Sequence, residues 1–489
     1  MLAPWVINEV STADLKDKRF KKRFAQVLSD LAARPTASIP AASGGRAEMA
    51  GAYRLIANEK TTFDNILQPH IEATRKRVAA QSVVIVVQDT SEIDVTRPQQ
   101  QVSGAGPLDG NSRCGALLHP LHAFAPDGTP LGTLHATAWV REEGTVCASR
   151  SRAERAATPI EEKESYRWVE TFRFARDEAE RCPATQFVSL EDSEADIYEF
   201  LVEASTEPRR VHWIVRACQK RALLYEDAQE SWGKHVRDYV LEKPVLFQQT
   251  VHVRGRKPKI RCDKRGRRQP RESRKADVDV RAACVTLRPP WRADRKLPPV
   301  TVNIVLVRET NPPAGDEPIE WLLITDLPID TIEQVRQVIQ YYCVRWMIEV
   351  FFRVLKSGCK VEERLFEYMD RVLTCLAVYM IVAWRTLYVC RLGRSCPEIS
   401  CEMIFEPAEW KSAWKVVHRQ DPPAEPPPLG VFIRLVAQLG GYIHPFFLAS
   451  GGRFDNSPPP RFPIPPPCGP ANAGSTCRSP REVGPDAGQ

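Results

Sequence analysis

Two short β-branched runs, each ending in an aspartate, constrain this chain more than any other feature. SVVIVVQD at residues 82–89 reads as a buried strand that delivers Asp89 to its C-terminal edge, and TQFVSLED at residues 185–192 reads as another that delivers Asp192. Between them, ALLHPLHAFAP and PLGTLHATAWVR flank the turn Pro126-Asp127-Gly128 as a β-hairpin, and EEKESYRWVETFRFARDEAERC reads as a charged helix. Strands and helices interleaved in this way place the chain in the α/β class. An aspartate at a strand end most often caps a turn, so neither Asp89 nor Asp192 implies chemistry by itself.

The flanking segments divide the chain further. Residues 14–33 place Phe20, Phe24, Val27, Leu28 and Leu31 at helical spacing, while Lys16, Lys18, Arg19, Lys21, Lys22 and Arg23 crowd the start. With helical stretches around residues 47–60 and 62–79, this predicts a small helical domain over 1–78. A core spans 79–204. Residues 205–330 carry the strand-like pieces VHWIVRAC, PVLFQQTVHV, ADVDVRAACVTL, VTVNIVLV and IEWLLITDLP, which read as an inserted β-rich unit. A helical part of the core follows over 331–368, and a helical region over 369–441. The last segment, 442–489, has eleven prolines and almost no periodic apolar pattern, which predicts a disordered tail.

Bulk composition excludes several classes. At 489 residues, 43% hydrophobic and 26% charged, the chain is long and apolar enough for roughly two to four folding units, so disorder throughout is ruled out. Fourteen cysteines form no CxxC pair, which argues against a zinc ribbon or a dithiol redox site and suits reduced thiols in a cytoplasmic protein. The N-terminus has no secretory pattern, and the apolar run 372–384 falls short of the ~20 residues of a membrane span, so it reads as a buried helix and no membrane partner is expected. The formal charge is +7, yet residues 254–275 carry twelve Lys and Arg against two acids, +10 in one loop. His119 and His122 belong to no HxxxH or Cys/His set and read as strand residues, not ligands.

Residues 342–356, YCVRWMIEVFFRVLK, carry the strongest chemical signal. Tyr342, Arg345, Glu349 and Lys356 stand at spacings that share one side of a helix, beside an apolar face of Met347, Ile348, Phe351, Val354 and Leu355. An ordinary core helix would fill the first face with apolar residues. This one mixes a phenol, a guanidinium, a carboxylate and an ammonium.

The pattern Y-x2-R-x3-E-x6-K resembles the motif of the DDE transposases of the insertion-sequence-four group. QDTSE around Asp89, DSEADIYEFL after Asp192, EEKESYRW at 161–168 and EMAGAYRLIANEK near the N-terminus extend the resemblance over roughly residues 10–440. It implies a ribonuclease H-like fold in which a mixed sheet brings Asp89 and Asp192 together and a helix after the β-insertion supplies Glu349. Three converging carboxylates repel one another unless a cation lies between them. Two Mg²⁺ ions about 4 Å apart are implied, with Mn²⁺ able to substitute, one activating the attacking water or 3′-hydroxyl and one stabilising the leaving oxygen.

The resemblance also implies that Tyr342, Arg345 and Lys356 grip the phosphate beside the cut, with Arg353 standing where the family often has Lys. It places Trp321 and Trp346 where aromatic rings meet a flipped base, and Arg216 at a basic position. Each Trp could instead be core. The basic loop, with Lys257, Lys264, Arg265, Arg267 and Arg268, and the helix with Lys21, Lys22 and Arg23 would supply the electrostatic hold on double-stranded DNA, transposon end and target alike.

The implied reaction is cut-and-paste transposition by a homodimer on two paired inverted repeats. Past Gly440-Gly441-Tyr442 the chain departs from the family's Gly-, Arg- and Lys-containing segment and Trp-rich helix. A defective copy that binds DNA and inhibits transposition is therefore a second reading. A ribonuclease H-like nuclease without strand transfer is a third, and it leaves Tyr342, Arg345, Lys356 and Trp321 without a role.

Overall fold

A computed structural model describes residues 2–97, 101–109, 112–142, 144, 154, 157–208, 210–224, 234–253, 272–316 and 318–439. The chain opens with helices α1 (Pro4–Glu9), α2 (Lys18–Ala33), α3 (Ile39–Ala42), α4 (Arg46–Ile56) and α5 (Phe63–Ala79). Asp17 caps α2 by accepting from the Arg19 amide, and the helix buries Phe24, Val27, Leu28 and Leu31 as its periodicity predicts. Thr62 and Asn65 close a reciprocal capping box that sets the start of α5.

Among the described residues eleven strands follow: β1 (Val83–Gln88), β2 (Ser91–Asp94), β3 (Gly106–Asp109), β4 (Arg113–Phe124), β5 (Pro130–Trp139), β6 (Gln186–Glu191), β7 (Val211–Arg216), β8 (Phe247–Val253), β9 (Arg274–Leu287), β10 (Val300–Glu309) and β11 (Glu320–Thr325). All belong to one mixed sheet. β1, β6 and β7 run parallel, while β4 lies antiparallel on the other side of β1 and pairs with β5 beyond it. The interior strands read VVIVVQ and QFVSLE because both faces are covered. Ile85, Val87, Val188 and Leu190 pack on one face, and Val84, Val86 and Phe187 on the other.

The sequence groups residues 205–330 as an inserted unit, and their strands do form. They do not stand apart. β7 pairs in parallel with β6, and β11 pairs antiparallel with β7 through Leu323 opposite Arg216, so β11, β10, β9 and β8 extend the core sheet. The reason is register: β7 leaves its far edge open, and β11 fills it. Residues 254–271 of the basic loop, including Lys257, Lys264, Arg265, Arg267 and Arg268, lie outside the described residues, as does the tail from 440.

Helices α6 (Arg167–Arg181), α7 (Tyr198–Ala204) and α8 (Val236–Leu241) accompany the sheet. They are followed by α9 (Ile332–Val344), α10 (Trp346–Arg353), α11 (Met369–Ser395), α12 (Pro407–His418) and α13 (Leu429–Leu439). At 27 residues, α11 is long and apolar enough to cross a membrane, but most of its apolar stretch is buried inside the protein against α2, α5 and β5. It is a core helix. Among the described residues all ten cysteines are free thiols.

The N-terminal helices are locked to the sheet through a buried polar triad. The β5 amide of Thr133 donates to Nε2 of His70, so the ring proton sits on Nδ1, which donates to Glu9 at 2.5 Å. Arg77 holds the other Glu9 oxygen at 2.6 Å. Burial lowers the His70 pKa, while His70 and Arg77 keep Glu9 ionised against the cost of burial.

Candidate active site

The parallel register of β1 and β6 aligns Val87 with Leu190, which brings the strand ends, and with them Asp89 and Asp192, side by side. Ligand sites of sheets with parallel strands lie beyond such C-terminal ends. The backbone amides of Thr90 and Ser193 donate to Asp89 and Asp192. Glu349 arrives from α10. Its neighbour Arg345 stands among all three acids: Nη2 donates to Glu349 Oε1 at 2.9 Å, and Nη1 is 3.6 Å from both Asp89 Oδ2 and Asp192 Oδ2.

The helix expected over Tyr342 to Lys356 forms, with two local irregularities. α9, started by a Thr331–Gln334 capping box, ends at Val344, and the Arg345 and Ile348 amides bond three residues back instead of four. α10 then runs to Arg353 and passes into a π-helical turn, Val354–Gly358, closed by the Cys359 amide on Val354. Arg345 itself keeps right-handed helical backbone angles, and it meets Glu349 one turn on, on the helix face turned to the acids. The π turn brings Lys356 beside Glu362, 3.4 Å away. Single π turns often mark functional positions in helices.

Burial raises the Asp89 pKa to about 7; Arg345 opposes the shift, and the charges of Asp192 and Glu349 add to it. Tyr342 is pushed up to about 12, chiefly by burial, and remains a phenol. Trp321 meets its ring edge-on at 5.9 Å, and Arg216 is close enough to act on its charge. Trp346 is exposed, at the start of α10. Arg353 and Lys356 line a cleft of about 380 Å³ with Asp89, Thr90, Ser91, Glu349, Phe352 and Ser357. On α2, Lys22 is exposed, Lys21 donates to the Ser11 carbonyl, and Arg23 lies over Phe20. These N-terminal cations are remote in sequence from the acids and do not join the cleft lining.

A buried hydrogen-bond chain beneath the acids was not legible as a motif. Arg167 Nε donates to Thr90 Oγ1, whose hydroxyl faces His119 Nδ1. His119 Nε2 faces Gln88 Oε1, Gln88 Nε2 donates to Glu191 Oε1, and Ser189 donates to the same oxygen. Gln88 and Glu191 directly precede Asp89 and Asp192. The chain therefore ties together the two strand ends that carry the acids. His119 is thus a buried bridging residue, and His122 bonds Thr133. Arg167 falls within EEKESYRW, Gln88 and Thr90 within QDTSE, and Ser189 and Glu191 within TQFVSLED, but nothing in those segments shows that the side chains join.

Burial raises Glu191 to about 8 and holds His70, His119 and His122 below their ordinary 6.5. The signs oppose. From about pH 4 up to 7 or 8 the unfolded chain ionises both carboxyls while the fold keeps Asp89 and Glu191 protonated, so these two groups withdraw stability over that whole window and are the main pH-linked loss above 6.5. Below about pH 6.5 the unfolded chain takes up imidazole protons that the fold refuses, so stability is lost there too. Urea midpoints in EDTA are expected to be highest near pH 6.5 and lower near pH 5 and pH 8. A steady rise from pH 5 to pH 8 would contradict these assignments.

Among the described residues no three His, Cys, Asp or Glu side chains close on one point as a metal-binding group, because the Arg345 guanidinium stands between the acids. Their chemistry nonetheless suits a hard divalent cation: all three offer carboxylate oxygens, and one Arg leaves their combined charge only partly balanced.

An eleven-stranded mixed α/β sheet among the described residues thus gathers three acids beyond the ends of its parallel strands, beside a helical N-terminus and a helical C-terminal region. Residues 2–61 match the family described as Transposase DNA-binding, residues 204–384 the Transposase DDE domain, and residues 381–451 the Transposase Tn5 dimerisation domain. The chain belongs to the DDE transposases of the insertion-sequence-four family, DNA-cleaving and strand-transferring enzymes that bind DNA, form homodimers and use divalent metal ions. The matched DDE region includes Arg345 and Glu349 but begins after Asp89 and Asp192. The dimerisation match continues past Tyr442. A cryo-electron microscopy structure of the piggyBac transposase synaptic complex with hairpin DNA is 9% identical, with 81% of this chain and 72% of that chain covered at a TM-score of 0.36, a likeness too slight to add an argument.

Proposed function

We propose that this transposase performs cut-and-paste transposition of an insertion sequence in the bacterial cytoplasm, with Asp89, Asp192 and Glu349 as its catalytic acids. The observation that carries the assignment is their convergence on one guanidinium at the ends of β1, β6 and α10. The three carboxylates would hold two Mg²⁺, or Mn²⁺ in its place, which supplies Lewis-acid activation of the nucleophile and stabilisation of the leaving oxygen.

Water attacks a phosphorus at the element end, the P–O3′ bond breaks, and a free 3′-hydroxyl is left. That hydroxyl attacks the opposite strand, displacing its leaving oxygen and closing a hairpin. Hydrolysis reopens the hairpin, and the 3′-hydroxyl then joins target DNA. Lys356 and Arg353, on the cleft wall facing Asp89, are placed to hold the scissile phosphate. Trp321, braced by Tyr342, offers a ring on which an unstacked base can rest. Lys21, Lys22 and Arg23 on α2, with the loop at 254–275, would hold the flanking duplex in a synaptic complex of two protomers on two ends.

Inverted repeats sought in the DNA flanking the coding region would provide the substrate. Incubated with Mg²⁺ and resolved on a denaturing gel, an end-containing duplex is expected to give a nick and then a hairpin running at twice the strand length. A nick without a hairpin would favour a nuclease that does not join strands. A gel shift without cleavage would favour an inhibitory copy.

A further inference from the structure

We propose that Arg345 is an internal competitor of the catalytic metal: its guanidinium neutralises the three carboxylates when no divalent cation is bound, and the two exclude each other from the centre of the site. This rests on the reading of Asp89, Asp192 and Glu349 as the metal-holding acids. The side chain is 9% exposed, with one nitrogen seated on Glu349 and the other facing both aspartates at 3.6 Å.

That separation is too long for hydrogen bonds, and Nη1 is buried with no hydrogen-bond partner. The guanidinium is therefore anchored at one end and held by charge alone at the other. A small divalent cation needs these same carboxylate oxygens at about 2 Å. It cannot share them with a guanidinium in the middle, and two positive centres in a half-buried site repel strongly.

An alternative seat lies nearby. The Tyr342 hydroxyl is buried one turn before Arg345, and the guanidinium already acts on that phenol both by its charge and as a neighbour at hydrogen-bonding range. A guanidinium displaced from the acids could turn more fully onto the phenolic oxygen as its acceptor. Arg345 keeps helical backbone angles between α9 and α10, so a change of its side-chain rotamer need not move the backbone. The consequence is a metal affinity lower than three carboxylates alone would give.

Mn²⁺ binding to the full-length protein, read as free Mn²⁺ by electron paramagnetic resonance, tests this with wild type, Arg345→Gln and Arg345→Lys. The glutamine variant is expected to bind Mn²⁺ on the order of tenfold more tightly or better. Its melting temperature should fall in EDTA and rise more on Mn²⁺ addition than that of wild type. The lysine variant, which keeps the charge but loses the fork, is expected to lie between them. It carries the comparison if the glutamine variant does not fold in EDTA. Wild-type or weaker Mn²⁺ affinity in the folded variants would overturn the competition while leaving the metal site in place. Absence of Mn²⁺ binding in all three proteins would overturn the metal reading of the acids, and this inference with it.

Discussion

Asp89→Asn is expected to lower DNA cleavage by about 10³-fold or more while making the metal-free protein more stable at pH 8. The rate loss follows because the amide can neither carry the negative charge nor supply the anionic oxygen that a divalent cation needs. The gain in stability has a separate cause. Asp89 is largely buried beside two other carboxylates, and the folded protein resists its ionisation, which raises its pKa to about 7. Each pH unit of such a shift is about 1.4 kcal/mol, and an amide of the same shape escapes the cost, so a gain on the order of a few kcal/mol is expected in EDTA. Opposed effects on rate and stability are the mark of a site strained for function. Urea unfolding in EDTA and a cleavage assay in Mg²⁺, on the same preparation, read both; a variant that loses stability along with activity would point to a structural role for Asp89.

Gly132→Ala is expected to destabilise the protein by about 3 kcal/mol or more. Gly132 has φ +136, a backbone region that side chains rarely enter. A methyl group there would also overlap Thr74 Oγ1 and lie 3.0 Å from Arg77 Nη2 and 3.1 Å from the His70 ring. These are the residues through which α5 seats the N-terminal helices on β5. The substitution should lower the urea midpoint and expose the α5–β5 interface to proteolysis, while a midpoint within experimental error of wild type would contradict the close approach.

The sequence exposes some parts of this site and conceals others for physical reasons. Asp89 and Asp192 were visible because a strand buried on both faces must be almost wholly apolar, so a carboxylate at its end stands out. Glu349 was visible because its polar companions occupy a helix face that packing would otherwise fill. The three-residue hydrogen bonds around Arg345 and the π turn after Arg353 were hidden, because side-chain periodicity does not resolve a change of backbone bonding within one turn. Gln88, His119 and Glu191 were hidden for another reason. Their contacts depend on the registers of β1 with β6 and β4, and register is a tertiary property. For the same reason β11 to β8 read as a separate unit, although β7 recruits them into the core sheet.

Cleavage of end-labelled DNA by wild type, Asp89→Asn, Asp192→Asn and Glu349→Gln, resolved on a denaturing gel, tests the central assignment most directly. Wild type is expected to cut in Mg²⁺, and each variant to bind the same DNA in a gel shift yet leave it uncut. Cleavage near the wild-type rate by any one of the three would show that the acids gathered around Arg345 are not the catalytic set.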